Sequence, residues 1–339
     1  VVGVNLYYAV GSRNERPGKT GFPHLFEHFF FNGSQHHPGG FREAMDDLGP
    51  NNRNGTTSQD RTNFFEDVPT SALERTLFLE ADRLGFLGPQ INQAMLERER
   101  GVVQNEKRQG ENQPYGRVFN HIFEQMYPKG HPYSWPVIGS MEDLNAASLQ
   151  DVKEWYANYY GPNNVVLALA GDITAERALA LVKKYFDGIP AGPPVERIEQ
   201  WVPKLDAPMR DRMYDRVPQA RLYRVYHAPA WRDDDIARLQ LYASEVSGSR
   251  SARLDRRLVY DQELATTVNA SVETSALAGL FVITATVKDG VDPDRVEREM
   301  DAVVAEFLKQ GPTEPELQRA RSRILSDFTR GAERLGGFG

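Results

Sequence analysis

The sequence predicts an α+β protein made of two structurally similar domains, and three observations carry that expectation. Strand-like and helix-like stretches are mixed without the strict alternation that a parallel sheet wrapped by helices requires. A Pro/Gly cluster, "GIPAGPP" over Gly188 to Pro194, interrupts the chain past its middle. The same order of strands and helices then returns. Domains over 1–190 and 206–339 follow, joined by a linker over 191–205. A chain of 339 residues, 40% of them hydrophobic, has the material for two cores.

The elements follow from periodicity and punctuation. An opening strand runs from about Val2 to Val10 and leads through "GSRNERPGKTG" to a helix from about Pro23, a residue suited to a first helical position. A short helix near Phe41 to Leu48 precedes two strand-like runs, "NGTTS" and "RTNFFEDV", and long helices start near Ser71 and Asn92. "VVLALAGDI" reads as a buried strand from its apolar run, and "TAERALALVKKYFDGI" as an amphipathic helix. Beyond the linker come the strand "RLYRVYHAP", helices over Asp234 to Val246 and Ser251 to Tyr260, the strands "LATTVNASVE" and "LFVITATVK", and two closing helices. "VVLALAGDI" and "LFVITATVKDG", each with its following helix, read as comparable units about 115 residues apart. Both chain ends read as cut.

Charge and composition exclude several classes. A net charge of −7 argues against a nucleic-acid or anionic-membrane partner, which requires clustered Lys and Arg. No apolar run reaches the roughly 18 residues of a membrane span. With no cysteine there is neither a disulfide framework nor a thiolate ligand, so any metal rests on His, Asp and Glu. The compartment is open between the bacterial periplasm or envelope and the cytoplasm.

The stretch "GFPHLFEHFFFNGS" sets His24 and His28 four residues apart, with Glu27 before the second. At about 100° per residue, His28 lies about 40° to one side of His24 and Glu27 about 60° to the other, so all three share one helix face. Two imidazoles one turn apart can bite a single Zn²⁺, with a carboxylate beside the place where its water sits. The bland alternative is two histidines packed on an aromatic-rich helix. A catalytic zinc takes a third protein ligand, and the helix "MLERERGVVQNEKRQGEN" offers Glu97, Glu99, Glu106 and Glu111. Glu99 and Glu106, seven apart, share a face, whereas Glu97 lies opposite Glu106; spacing alone leaves each able to be a solvated charge.

These segments together resemble the pitrilysin/insulinase-type zinc metallopeptidases, the inverzincins, whose H-x-x-E-H motif inverts the commoner H-E-x-x-H. "GSRNERPGKTGFPHLFEHFFFNGS" is similar to the family's stretch through its motif, "NRNGTTSQDRTNFFEDV" to its substrate-strand segment, and "ERERGVVQNEKR" to its distal-ligand helix. "HPYSWPVIGSMEDLNAASLQDVKEWYANYYGPNNVVLALAGDI" resembles its domain-closing segment. The likeness covers nearly all of 1–190; 200–339 fits the second domain of the same half-molecule through weaker motifs. The resemblance implies one half of a clamshell peptidase, with one zinc per chain on His24, His28 and Glu106, Glu27 as general base, and Glu99 supporting the ligands. It implies that Asn54 lies on an edge strand to which a peptide substrate adds, with Gly55 where members commonly have alanine. Relatives that keep the fold without chemistry make a binding or assembly subunit the competing class; they lack a ligand or the base, and this chain keeps all four residues.

Other residues fare differently. His36 and His37 read as a solvated loop, His131 and His227 as packing groups, and Phe29 to Phe31 as core. The resemblance also implies an Arg and a Tyr, seven apart, that complete the site from a facing domain. Alignment of "SARLDRRLVYDQELATTV" places Val259 and Thr266 at those positions. Neither replaces its counterpart, and Arg257 and Tyr260, three apart, fall out of the spacing. The expected partner is a second peptidase half, on the same polypeptide or as a separate subunit.

Overall fold

Two antiparallel sheets organise residues 1–333, which the computed structural model describes; 334–339, the end of the expected second domain, lie outside the described residues. The described residues divide into two compact units, Val1–Arg197 and 198–333. Helices and strands are mixed in both, as α+β layers. Among the described residues, no helix is long and apolar enough to cross a membrane.

In the first unit, strands β1 (Val2–Tyr8), β2 (Asn51–Thr57), β3 (Thr62–Val68) and β4 (Val165–Gly171) form a sheet in the order β2-β3-β1-β4. β1 is central, paired antiparallel with β3 (Leu6 opposite Phe64) and with β4 (Leu6 opposite Leu167). Its alternation buries Val2, Val4, Leu6 and Tyr8, the period-2 pattern of a sheet with one face on the core. β4 corrects the sequence reading. It is an edge strand with exposed Val166, Ala168 and Ala170 rather than a buried one, because only β1 flanks it.

Helix α1 (Phe22–Phe29) packs across this sheet. Phe22, Leu25, Phe26 and Phe29 are buried, leaving His24, Glu27 and His28 as its polar stripe. Each fully buried phenylalanine contributes about 1.5–3 kcal/mol of burial. Phe30 is also fully buried and Phe31 packs at the core's margin, so the aromatic run is core as expected. An eight-residue helix is marginal by itself, and α1 is held at both ends. Gly21 at its N-cap is left-handed (φ 93°) and offers no capping side chain. The Glu15 carboxylate accepts from the N–H groups of Gly21 (2.7 Å) and Phe22 (2.9 Å) instead. At the other end, Arg83 Nη1 donates to the Phe30 carbonyl at 3.3 Å.

α2 (Phe41–Asp46) precedes β2, and α3 (Leu73–Phe86) follows β3. α3 carries Arg83, fully buried with Glu80, which it grips through two guanidinium nitrogens, and with Glu66 of β3 beside them. The guanidinium lies 3.7 Å from the Phe41 ring centroid and 4.4 Å from that of Phe64. One cation cannot neutralise two dry carboxylates. Burial, and then the Glu80 charge, push the Glu66 carboxyl well above the usual carboxylate range. α4 (Gln93–Asn112) starts at Asn92, whose side chain accepts from the Met95 N–H at 3.0 Å. Three helices that the sequence reading leaves unassigned follow: α5 (Val118–Met126), α6 (Met141–Ala146) and α7 (Leu149–Tyr159). α8 (Ala175–Phe186) comes after β4.

The second unit holds β5 (Arg221–Ala228), β6 (Ala265–Thr274) and β7 (Gly279–Val287) in the order β5-β7-β6, with α9 (Asp235–Val246), α10 (Pro293–Gln310) and α11 (Glu314–Ala332). Its element order repeats that of the first unit, one strand away from the expected equivalence. β5 followed by the β6–β7 hairpin matches β1 followed by the β2–β3 hairpin, and β7–α10–α11 matches β3–α3–α4. β7, buried along most of its length and flanked on both sides, is therefore the counterpart of β3 and not of β4. The helix expected over Ser251 to Tyr260 is a π-helical turn, Asp255–Asp261, with the Gln262 N–H donating to the Arg257 carbonyl at 3.2 Å.

At the start of α11, Glu316 closes a capping box with Thr313 and takes two 2.8 Å bonds from Arg253. The Arg253 guanidinium, with Thr313 adding to it, holds the Glu316 carboxyl down at about 2. A carboxylate depressed on folding contributes stability that is present above its unfolded value and is lost as pH falls through its folded value. Melting temperature should therefore fall more steeply with acidification toward pH 2 in the wild type than in Glu316→Gln, and equal slopes would discount the pair. For α1, Glu15→Ala should lower stability by about 1–2 kcal/mol. Denaturant unfolding with an unchanged midpoint would mean that the cap is dispensable.

Candidate metal centre

α1 and α4 bring together residues that lie far apart in sequence. His24, Glu27 and His28 occupy the polar stripe of α1, and the facing side of α4 presents Leu96, Glu99 and Val103 buried, with Glu106 one heptad past Glu99 at the more open end. Leu96 and Val103 fix the approach of α4 to the core, and the period of the helix then aims both glutamates at α1.

His28 Nε2 lies 3.2 Å from Glu106 Oε2, and His24 Nε2 lies 3.7 Å from the same oxygen. The three ligating atoms fall within 4.8 Å of one another, making this a group able to hold a metal ion. The rings stand edge to face at 5.0 Å, so their nitrogens converge without stacking. Burial, with the neighbouring His28, lowers the His24 pKa to about 4. His24 is therefore neutral at pH 7, with a lone pair to donate. Two imidazole nitrogens and one carboxylate, with no fourth side chain in the group among the described residues, match the donor set of an open zinc site.

The surroundings orient the donors. Glu99 Oε2 is 3.8 Å from His28 Nδ1, and its Oε1 accepts from Arg98 Nε at 3.0 Å and from the Asn32 amide at 3.2 Å. The same Asn32 nitrogen donates to the His28 main-chain carbonyl at 3.1 Å, and Arg98 donates to the Asn32 side-chain oxygen Oδ1, so this cluster joins the end of α1 to α4. His24 differs: its Nδ1 is buried without a partner among the described residues. Glu97, at a different angle on α4, bonds Gln93 and Arg100 and takes no part.

Glu27 stands beside the histidines against β2. Its Oε2 accepts from Thr57 Oγ1 at 2.5 Å. Burial lifts its carboxyl above the usual value, and the Thr57 hydrogen bond opposes the rise. β2 is an edge strand, since among the described residues β3 alone pairs with it. Asn54 is exposed on it, its side-chain oxygen accepting from the Gly55 N–H at 2.9 Å. A Cβ on Gly55 would lie 3.0 Å from Glu27 Cγ and 3.1 Å from Phe31 and Phe64 ring carbons, so glycine lets the strand approach the helix closely.

Glu15, Asn32 and Thr57 escape the sequence reading. Thr57 alone leaves a signal, sharing with Gly55 the period-2 face of "NGTTS". His36 corrects an expectation. It is half exposed but not simply solvated, since its Nδ1 is 2.6 Å from the buried Asp82 carboxylate, which also accepts from Ser34. His131 is fully buried and stacks on Tyr127 at 4.5 Å, as a packing group does.

Residues 1–139 match the family model described as Insulinase (Peptidase family M16), and 146–324 the model described as Peptidase M16 inactive domain. The stretch 146–324 contains a single histidine, His227. A zinc protease PqqE of Helicobacter pylori is 27% identical over 334 residues, covering 97% of this chain and 74% of that protein. The crystal structure of a protease from Helicobacter pylori aligns with a TM-score of 0.87 at 26% identity, covering 99% of this chain and 82% of that one. The periplasmic protease PqqL from Escherichia coli shares the fold, with a TM-score of 0.80 at 20% identity over all of this chain and 38% of its own. Matched over both of its units, this chain belongs to the M16, insulinase-type peptidase family.

Proposed function

We propose that this chain is the zinc-bearing half of a metalloendopeptidase that hydrolyses peptide bonds in peptides or unfolded protein segments. The convergence of His24, His28 and Glu106, one ligand atom from each lying within 4.8 Å of the others, with Glu27 on the same helix face, carries the reading. His24, His28 and Glu106 would hold the ion. When bound, zinc supplies Lewis acidity at a position the protein leaves open, lowering the pKa of water there toward about 7.

The chain's own groups account for the rest. Glu27 accepts the proton of the attacking water and returns it to the leaving amine, and a carboxyl lifted by burial is suited to both tasks. Glu99 orients His28 and ties α1 to α4. The open edge of β2, with Asn54, receives an extended peptide as an added strand through main-chain hydrogen bonds. The inactive-domain match falls on 146–324, outside all of these residues, and does not count against the reading.

A facing half completes the site, either further along the same polypeptide or as a separate subunit. Val259, in the π-helical turn, packs on the second unit's core, and Thr266 is an exposed residue of β6. Arg257 is engaged by Glu299 at 3.1 Å. None of them supplies the anchor and hydroxyl donor for a developing oxyanion, a contribution worth about 3 kcal/mol.

Two variants test the metal and the base. His28→Ala should lose zinc, measured as bound metal per chain, and full occupancy would sink the ligand set. Glu27→Gln should retain zinc and lose peptide hydrolysis, because an amide cannot accept the proton; wild-type turnover would point to another base. The 339-residue chain by itself should bind zinc and cleave peptides very poorly, gaining activity when the facing half is added. Robust turnover without any partner would show that the facing half is dispensable.

A further inference from the structure

A carboxylate that moves a proton works best when one oxygen is fixed and the other is free. Glu27 meets that condition through one side chain. Thr57 Oγ1 donates to Oε2 at 2.5 Å, while Gly55, two residues earlier on the same strand face, abuts the Cγ methylene. The strand thus buttresses the stem of the base and ties off one of its oxygens.

Thr57 also has main-chain groups, and the hairpin register says where they point. The Ser58 N–H donates to the Arg61 carbonyl at 2.9 Å, closing the turn between β2 and β3. Register pairs then run Thr57 with Thr62, Thr56 with Asn63 and Gly55 with Phe64. In an antiparallel ladder, residues bonded to the partner strand alternate with residues whose N–H and C=O face away. Ser58 faces β3, so Thr57 and Gly55 turn their main-chain groups to the open edge. The Gly55 N–H accordingly finds the Asn54 side chain and not β3.

We propose that Thr57 is a positioning residue for Glu27: its hydroxyl fixes the base's carboxylate while its main chain forms part of the edge on which the substrate strand lies. The proposal rests on the peptidase reading above. It ties the base on α1 to the strand along which the reacting bond lies, so the same residue sets where the peptide lies and which Glu27 oxygen faces it. A misplacement on the ångström scale at a reacting centre can cost about a hundredfold.

The test uses zinc-loaded full-length protein with its facing half, comparing Thr57→Val, which keeps the shape, with Thr57→Ser, which keeps the hydroxyl. Thr57→Val should lower kcat by about ten- to a hundredfold with KM and zinc content within about twofold of wild type, the signature of a group that acts on the reaction and not on binding. Thr57→Ser should recover most of the loss. A crystal structure of the valine variant should show Glu27 in more than one orientation with the zinc ligands unmoved. Thr57→Ala offers the same readouts if the valine variant fails to fold. Unchanged kcat in Thr57→Val, a loss confined to KM, or a single wild-type Glu27 orientation would overturn the proposal. A wild type that does not cleave peptides would instead overturn the peptidase reading, so the two failures are distinguishable.

Discussion

The candidate site depends on how one short helix is held. α1 is eight residues long, too short to persist alone, and all three polar groups of its stripe lose their mutual geometry if it frays. Its N-terminus rests on the Glu15 carboxylate and its C-terminal carbonyl on the Arg83 guanidinium, while four apolar residues seat it on the sheet. Both end contacts are buried, where a polar group with a partner is worth keeping and one without is costly. The Arg83 cluster costs desolvation of its ionisable groups, and burial and the Glu80 charge push the neighbouring Glu66 carboxyl well up. Rigidity of α1 is what that cluster supports.

From α1 the constraint passes to its two neighbours. α4 is held by its own apolar face and by the Asn32, Arg98 and Glu99 cluster, so that Glu106 arrives opposite both histidines. β2 is held by its ladder to β3 and by the close approach at Gly55. One helix supplies His24, Glu27 and His28, a second helix supplies Glu106, and an edge strand lies against Glu27. Each belongs to a regular element, which places a side chain more tightly than a loop does.

The second unit repeats the arrangement β, helix, helical turn, hairpin, helix, helix, yet puts different chemistry into it. The helix matching α4 is α11, and its first turn carries the Glu316 carboxylate locked to Arg253 and Thr313 in a structural ion pair. Carboxylates tied to an arginine and a cap are not free to bind metal. The same scaffold thus carries a candidate donor set in one unit and a structural pair in the other, and the division follows from side chains and not from topology.

Much was legible in the sequence because helical spacing is local. His24, Glu27 and His28 share a face through the 3.6-residue period alone, and the heptad from Glu99 to Glu106 places both on one side of α4. Strand patterns marked β1 and β3 for the same reason, and the resemblance selected Glu106 among four glutamates, any of which spacing alone left able to be a solvated charge. Contacts between distant segments were not legible. No local rule brings Glu15 to the end of α1, Asn32 to Glu99, or Thr57 to Glu27, and an apolar run such as that of β4 does not say whether one or two strands flank it. Sheet order, which makes β2 an edge and β7 central, depends on hydrogen bonds between strands distant in the chain, and so only the tertiary structure decided it.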